Sequence, residues 1–287
     1  MDTKNGGKRK MTKDSLGDRM KHNYENRSKT YLTRRMPVII SLDGKAFHSF
    51  TRGFERPYDT VFHTAMNNTL QYLCENIQGC RLGYTQSDEI TLLLTDYEKL
   101  TTDAWFDYAV QKMCSVAASM ATMAFNRYFM DAVNVAYNEF TNGTTDIQSF
   151  YPNIKDFDRL FDTRFSRINT ACFDERCFNV PKEEVANCFI WRQQDATRNA
   201  IQMLGQTHFS DKQLDGKSNS EVQDMLMLEK GINFNDMATE FKRGVCCCKI
   251  ANPEESTTIG VLIRPQWVID TEIPIFTQDR NYIERFV

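Results

Sequence analysis

Acidic residues beside two short apolar segments suggest a metal-dependent active site. Asp43-Gly44 ends a β-branched segment, and Ser87-Asp88-Glu89 forms a polar tip between two further apolar segments. If these segments are neighbouring strands of one antiparallel sheet, Asp43 and Asp88 stand side by side. Carboxylates held that close need cations to stay ionised together, which favours Mg²⁺, and two such ions suit phosphoryl or nucleotidyl transfer. Asp-Gly and Ser-Asp also form ordinary turns, so each pair alone is weak evidence.

A loop of alternating basic and aromatic residues follows the first carboxylate. Such alternation suits a site where a base stacks and a triphosphate is bound. The alternative is a loop that simply packs its aromatic rings inward. The residues concerned are Lys45, His48, Arg52 and Arg56, interleaved with Phe47, Phe50 and Phe54.

The first half of the chain predicts a sheet flanked by helices. The β-branched segment 36–43 reads as a buried strand, and 82–85 with 90–94 reads as a hairpin around the polar tip. Asp59 is a typical N-cap for a helix that runs to Asn76. A longer helix is expected over 103–130, where apolar residues recur at steps of three and four.

The second half predicts mainly helices. Segment 142–162 is rich in turn residues, and 164–173 is expected to be a strand. Pro181 and the acids after it mark the start of a helix that runs to about Gln206. A break at 216–220 precedes the next helix, and 257–262 reads as a late strand. The fold class is therefore α+β with a helical C-terminal half.

The helix predicted from Pro181 carries a polar stripe of Arg192, Asp195 and Asn199. Such a stripe is usually just the face that a helix turns to solvent. Trp191-Arg192-Gln193 is less ordinary, because it joins an aromatic ring to two planar hydrogen-bonding groups.

Composition and charge limit the function classes further. The 287 residues are 41 % hydrophobic and 25 % charged, as in an ordinary globular protein, and no segment is long and apolar enough to predict a membrane span. The formal net charge is −3, yet residues 1–35 hold 11 Lys/Arg against 4 Asp/Glu. Residues 1–13 read as a basic, disordered-like arm, 14–140 as the catalytic region and 141–287 as the remainder of the same unit. A basic segment on an acidic body suits a polyanionic partner, and a frayed, solvated terminus is the alternative.

The nine cysteines do not form a disulfide-scaffold or C-x-x-C pattern. Reduced thiols in a cytoplasmic protein are the simplest interpretation. Buried thiols on a strand are expected for Cys246, Cys247 and Cys248, rather than a zinc site. The sequence also lacks the G-x-S-x-G, P-loop and G-x-G-x-x-G motifs of hydrolases, Walker-type ATPases and dinucleotide-binding proteins.

Seven short motifs, taken together and in order, resemble the tRNA-His guanylyltransferase superfamily of 3′-to-5′ polymerases. The resemblance covers most of the chain and implies a palm-like antiparallel sheet related to those of polymerases and nucleotide cyclases. It also implies Mg²⁺ catalysis with two ions, tRNA and nucleoside triphosphates as partners, ATP or GTP as the activating nucleotide, and commonly a homotetramer. The motifs are 42–48 (LDGKAFH), 54–59 (FERPYD), 83–89 (GYTQSDE), 173–176 (FDER), 191–195 (WRQQD), 230–233 (KGIN) and 242–244 (KRG).

Position by position, the resemblance implies roles for individual residues. Asp43, Asp88 and the Gly44 carbonyl match the metal ligands, with Glu89 beside them as a further catalytic residue. The loop whose backbone cradles the triphosphate corresponds to Lys45, Ala46, Phe47 and His48. Further nucleotide contacts are implied for Arg56, Asp59, Ser87 and Lys112. Contacts to tRNA or nucleotide are implied for Arg176, Arg192, Gln193, Asn199, Lys242 and Arg243.

Two departures from the eukaryotic enzymes bear on the substrate. Within 197–203, only Asn199 matches the corresponding segment of those enzymes. Ser41 stands where those enzymes have Arg. Both changes are similar to the bacterial, archaeal and viral Thg-like branch. They favour template-dependent repair of 5′-truncated tRNAs over addition of the extra guanosine G−1 to tRNA-His. A strict tRNA-His guanylyltransferase, a palm-domain nucleotide cyclase and a non-catalytic RNA-binding module remain alternatives.

Overall fold

A six-stranded antiparallel sheet forms the centre of the computed structural model, which describes residues 15–142, 156–250 and 265–287. Its strands lie in the order β4-β1-β3-β2-β5-β6. The strands are β1 (Val38–Gly44), β2 (Cys80–Gln86), β3 (Glu89–Leu94), β4 (Phe173–Asn179), β5 (Val245–Ile250) and β6 (Gln266–Asp270). Both the 14–140 and the 141–287 segments contribute strands to this one sheet.

Ten α-helices occur in the described part of the chain. They are α1 (Ser15–Asn23), α2 (Phe47–Phe50), α3 (Thr60–Asn76), α4 (Val110–Thr141), α5 (Phe157–Arg167), α6 (Lys182–His208), α7 (Asp211–Leu214), α8 (Asn219–Lys230), α9 (Thr239–Arg243) and α10 (Asn281–Glu284). The predicted α+β class is confirmed. None of these helices is long and apolar enough to cross a membrane.

The two faces of the sheet are covered by different helices. Alternate residues of β1, namely Val38, Ile40 and Leu42, belong to the core cluster beneath α3 and α4. Ile39, from the other face, belongs to the cluster that packs on α6 and the C-terminal segment. Because strand side chains alternate between faces, Ser41 and Asp43 face the α6 side with Ile39.

Several predicted elements are confirmed in place. The hairpin is formed by β2 and β3, and the Asp59 side chain caps α3 by accepting a hydrogen bond from the Phe62 backbone N–H at 2.9 Å. Pro181 is the N-cap of α6. The cysteine triplet is buried on β5, as expected for structural thiols.

The bounds of two predicted elements differ from the sequence prediction. The prediction of a strand over 164–173 is wrong, because α5 continues to Arg167 and β4 begins only at Phe173. Asp156 caps α5, and Leu160, Phe161 and Arg164 are buried at helical spacing, which the β-type composition of 164–173 obscured. The long helix starts at Val110 rather than Asp103, because Phe106, Asp107 and Tyr108 have left-handed backbone angles, and it continues to Thr141 rather than ending near Met130.

Some expectations concern segments outside the described residues. These are the basic arm over 1–13, the late strand over 257–262 and most of the turn-rich segment 142–162. Within that last segment, residues from Phe157 onward are helical.

Candidate active site

The sheet brings the predicted carboxylates together at one end. β1 and β3 are neighbours, and Asp43 lies directly opposite Glu89 in the register. The Gly44 backbone N–H donates a hydrogen bond to the Asp88 carbonyl at 3.2 Å, so the end of β1 is tied to the hairpin tip. On the other side of β1, Asp174 of β4 lies opposite Asp43. Acidic residues therefore occupy this sheet end on three adjacent strands.

Burial and mutual repulsion make this group of acids electrostatically costly. Burial raises the pKa of Asp88, and the nearby Asp43 charge raises it further, whereas a hydrogen bond from the Ser87 hydroxyl at 3.0 Å opposes the shift. Burial also raises the pKa of Glu89, and Arg192 opposes that shift. Hard oxygen donors that repel one another in a partly dry site have the chemistry of a Mg²⁺ site.

Arg192 reaches from α6 to the carboxylates. One terminal guanidinium nitrogen lies 3.1 Å from a Glu89 carboxylate oxygen, and the other donates to the Ser41 hydroxyl at 2.7 Å. The guanidinium stacks on Trp191 at 4.3 Å from the ring centroid. Arg192 thus joins β1 and β3 beside the acids.

The aromatic rings of the loop after β1 pack inward. Phe47, Phe50 and Phe54 are all buried and form stacked or edge contacts within the core under α4. The alternative that the sequence left open is therefore correct for the rings. The packing also explains Gly44, because a Cβ there would overlap the ring of Phe47.

The backbone of the same loop has hydrogen-bond donors that are not used within the described part of the fold. Ala46 has a left-handed conformation with φ 57° and ψ 34°, which costs free energy in a non-glycine residue. Within the described residues, the backbone N–H groups of Ala46, Phe47 and His48 have no acceptor. The Lys45 N–H, by contrast, donates to the Cys172 carbonyl at 2.8 Å. Three free amides beside the carboxylates form the kind of concave backbone that binds phosphate oxygens.

A pocket of about 440 Å³ opens beside this loop. It includes the hairpin tip at Ser87 and Asp88 and one face of α6. An aromatic wall stands opposite, where Tyr58 stacks on Phe241 with 4.4 Å between ring centroids. Its further lining includes His48, Thr51, Arg56, Asp59, Asn199, Gln202, Met203, Gln206 and Glu240.

Asp59 lines this pocket, but its carboxylate is already engaged. One oxygen accepts from the Arg164 guanidinium at 2.8 Å and from the Glu55 backbone N–H at 3.1 Å. The other oxygen caps α3. Arg164 is fully buried, so the structure gives Asp59 a role in holding the loop to α3 and α5.

Two predicted site residues lie away from the carboxylates. Lys112 is near the start of α4, whereas Asn126 of the same helix hydrogen-bonds Ala171, next to the site. The two residues are fourteen positions apart, which corresponds to about 21 Å along the helix axis at 1.5 Å per residue. Gln193 is buried, and its amide accepts from the Phe276 N–H at 2.8 Å and donates to the Pro274 carbonyl at 2.9 Å.

The remaining predicted contacts lie on β4, α6 and α9. Arg176 is exposed on β4, and Asn199 is exposed on the pocket side of α6. Lys242 and Arg243 end α9, where the Lys242 ammonium donates to the Asn235 carbonyl at 2.6 Å. The Arg243 carbonyl accepts from the Tyr84 hydroxyl at 2.8 Å, which ties α9 to β2.

Sequence reasoning missed three residues of the site. Asp174 lies in the 173–176 motif. A prediction that β4 pairs with β1 would have placed it beside Asp43. Tyr58 and Phe241 stack although they are far apart in sequence, so no local pattern announces their contact.

Comparisons with known proteins decide the family. A family model described as tRNAHis guanylyltransferase matches residues 17–181, more than half of the chain. The chain belongs to the tRNAHis guanylyltransferase family. The proteins of this family are nucleotidyltransferases, so the predicted enzyme class is confirmed at that level.

Solved structures extend the likeness beyond the matched segment. A bacterial tRNA(His) guanylyltransferase-like protein in complex with ATP is 41 % identical with a TM-score of 0.74, covering 95 % of this chain and 99 % of that one. A structure of such a bacterial protein in complex with GTP is 37 % identical with a TM-score of 0.71 and the same coverage. The predicted palm-like fold is confirmed, and membership of the Thg-like branch is supported.

A viral relative is also similar. An uncharacterized protein of Acanthamoeba polyphaga mimivirus is 33 % identical over 197 residues, which are 66 % of this chain and 61 % of the viral protein. This chain therefore spans less than two thirds of the length of that relative.

Proposed function

We propose that the chain is a Mg²⁺-dependent nucleotidyltransferase that repairs truncated tRNAs by adding nucleotides to their activated 5′ end, directed by the opposing template strand. The observation that carries this proposal is the convergence of Asp43, Asp88 and Glu89 at one sheet end, beside a backbone loop with free amides and an open pocket. Addition of G−1 to tRNA-His is the alternative activity within the same family.

The donor set fits Mg²⁺. Asp43, Asp88 and the Gly44 carbonyl would hold the ions, because they offer oxygen ligands at one end of the sheet and burial makes the acids costly without a cation. Two bound ions would supply activation of the attacking hydroxyl and stabilisation of charge on the phosphates.

The proposed reaction reverses the polarity of an ordinary polymerase. The 3′-oxygen of the incoming nucleoside triphosphate forms a bond to the 5′ phosphate of the tRNA and loses its proton. The bond from that phosphate to its activating group breaks, and AMP or pyrophosphate leaves with the electron pair. ATP or GTP is the proposed activating nucleotide, which fits the nucleotides in the two bacterial structures.

The loop after β1 is placed to receive a triphosphate. The free amides of Ala46, Phe47 and His48 can donate to phosphate oxygens, as can the exposed side chains of Lys45 and Arg56. We assign the buried ring of Phe47 no direct contact with the base.

The segment that departs from the eukaryotic enzymes supports repair over G−1 addition. Gln202 and Met203 belong to 197–203, differ from those enzymes and line the pocket, beside the matching Asn199. The chain is therefore altered at the wall of the pocket itself. A difference in the pocket wall supports a different tRNA substrate, while the nucleotidyl-transfer reaction stays the same.

A homotetramer is part of the proposal. Lys112 lies about 21 Å along α4 from Asn126, so we assign any contact between Lys112 and a nucleotide at these carboxylates to a second copy of the chain. Light scattering of the purified protein tests the assembly, and a monomer would remove Lys112 from the nucleotide site.

A cytoplasmic location is the matching proposal for a tRNA-repair enzyme.

The test compares two tRNAs that each carry a labelled 5′ monophosphate. One lacks its first 5′ nucleotide opposite a pairable base, and the other is full-length tRNA-His with an adenosine at the discriminator position. We expect extension of the truncated tRNA alone, and only by the complementary nucleoside triphosphate. Comparable addition of G to the full-length tRNA-His would establish the alternative activity. tRNA binding without extension of either substrate would contradict both and indicate a binding module.

A further inference from the structure

Three potential metal ligands meet on the sheet face opposite the carboxylate site. Cys114 lies on α4, and Glu175 and Cys177 lie on β4, two residues apart and hence on one face of that strand. Glu175 pairs in register with Leu42 and Cys177 with Ile40, both of which belong to the core under α3 and α4. Asp43 faces the α6 side. The sheet therefore separates this group from the carboxylate cluster.

The spacing of the three side chains matches a tetrahedral site. The Cys114 and Cys177 sulfurs are 3.7 Å apart, and one ligand atom from each of the three residues lies within 4.8 Å of the others. Two thiolates bound to one Zn²⁺ at about 2.3 Å in tetrahedral geometry are about 3.8 Å apart. The sulfurs thus already stand at the separation that zinc requires.

Apart from the weak thiol donor of Cys114, the Glu175 carboxylate lacks the partners that a buried acid normally has. Both of its oxygens are shielded from solvent, and no N–H or O–H donor among the described residues reaches them. Burial raises the pKa of Glu175 to about 7, and it also raises the pKa of both thiols. A bound cation would satisfy the carboxylate and displace the thiol protons.

We propose that Cys114, Glu175 and Cys177 form a Zn²⁺ site that clamps the edge strand β4 to α4. Three protein ligands leave one position of a tetrahedral ion open for a water molecule. Because Asp174 of β4 stands opposite Asp43, the clamp fixes the strand that flanks the carboxylate site.

The test uses Co²⁺ as a spectroscopic substitute for Zn²⁺, added to the reduced, metal-free full-length protein. We expect one equivalent to produce sulfur-to-metal charge-transfer absorption and the visible bands of tetrahedral Co²⁺, and Zn²⁺ to displace it. Co²⁺ bound only to Asp43 and Asp88 would give no thiolate band. The result is therefore independent of the proposed tRNA activity.

Matched variants identify the ligands. Cys114→Ser and Cys177→Ser should each lose the charge-transfer absorption, and Glu175→Gln should bind Co²⁺ more weakly. Cys188→Ser, a partly buried cysteine on α6, should behave like the wild type. Should a cysteine variant fail to fold by circular dichroism, alkylation of the wild type decides the matter. Zn²⁺ should then protect Cys114 and Cys177, but not the exposed Cys172, from the reagent.

Three outcomes would overturn the proposal. The first is the absence of thiolate absorption from the wild type, and the second is its persistence in a folded Cys114→Ser variant. The third is a Cys114–Cys177 disulfide in protein purified without added oxidant, together with no metal binding after reduction. A disulfide would require the sulfurs to approach to about 2.05 Å.

Discussion

Replacing Asp59 with alanine should unfold the protein more readily while changing nucleotide affinity little. The Asp59 carboxylate accepts hydrogen bonds from the Arg164 side chain and from the backbone N–H groups of Glu55 and Phe62. The Arg164 side chain is 0 % exposed, so Asp59→Ala removes an anion from contact with a fully buried cation.

The magnitude follows from these contacts. Removing one partner of a buried ion pair costs about 3–5 kcal/mol, and replacing an N-cap by alanine costs about 0.5–2 kcal/mol. The two effects share one carboxylate and do not add fully, so we expect a loss of about 4 kcal/mol in the free energy of unfolding. Asp59→Asn retains the cap and should lose less. The double variant Asp59→Asn/Arg164→Met removes both charges and should recover much of the stability.

Urea unfolding followed by circular dichroism and tryptophan fluorescence measures this effect, with Asp131→Asn as the control at an exposed carboxylate. The KM for the nucleoside triphosphate is measured at a temperature where each variant is folded. We expect a lower urea midpoint for Asp59→Ala and a KM within about threefold of the wild type, a difference of less than about 0.7 kcal/mol. An unchanged midpoint with a tenfold higher KM would refute the structural role and make Asp59 a nucleotide contact.

Three further changes test other parts of the structure. Arg192→Ala should lower kcat/KM for nucleotide addition about tenfold to a hundredfold, because it removes charge-assisted hydrogen bonds worth about 1.5–3 kcal/mol. Arg192→Lys should retain part of the activity. An unchanged rate for Arg192→Ala would exclude the guanidinium from the site. Burial raises the folded-state pKa of Glu55 from 4.5 to about 7, so wild-type stability should fall as pH rises between these values. Glu55→Gln should therefore stabilise the protein above pH 7 by about 1–2 kcal/mol, allowing for partial exposure, and have little effect near the pKa of Glu55 in the unfolded chain. Equal shifts of the urea midpoint at these two pH values would contradict this prediction. Gly44→Ala should cost about 1–3 kcal/mol in thermal unfolding because its Cβ overlaps the Phe47 ring, and an unchanged melting temperature would show that the ring relaxes freely.

Local patterns were sufficient to predict the part of the fold that carries the carboxylates. The β-branched strand before Asp43 and the hairpin around Ser87-Asp88-Glu89 are each recognisable from a short run of residues. If both belong to one antiparallel sheet, they can be neighbours. The Asp59 cap was predictable for the same reason, since an N-cap depends on a few neighbouring residues.

Contacts between distant segments were not predictable in this way. Arg192 contacts Ser41, 151 positions away in sequence, and no local sequence pattern at either residue predicts this contact. The family resemblance implied a contact to tRNA or nucleotide for Gln193, yet in the structure its buried amide holds the C-terminal segment. The strand predicted over 164–173 was wrong because the tertiary packing of α5 outweighed local propensity.

The most direct test of the central claim is single-turnover nucleotide addition to a 5′-truncated, 5′-triphosphorylated tRNA as a function of Mg²⁺ concentration. Wild type, Asp43→Asn, Asp88→Asn and the exposed control Asp131→Asn are compared, each shown to be folded. If Asp43 and Asp88 hold the ions, each of their variants should be slower by at least about a hundredfold, or about 2.7 kcal/mol, and the control should match the wild type. Wild-type rates and Mg²⁺ dependence in either Asp43→Asn or Asp88→Asn would contradict the account.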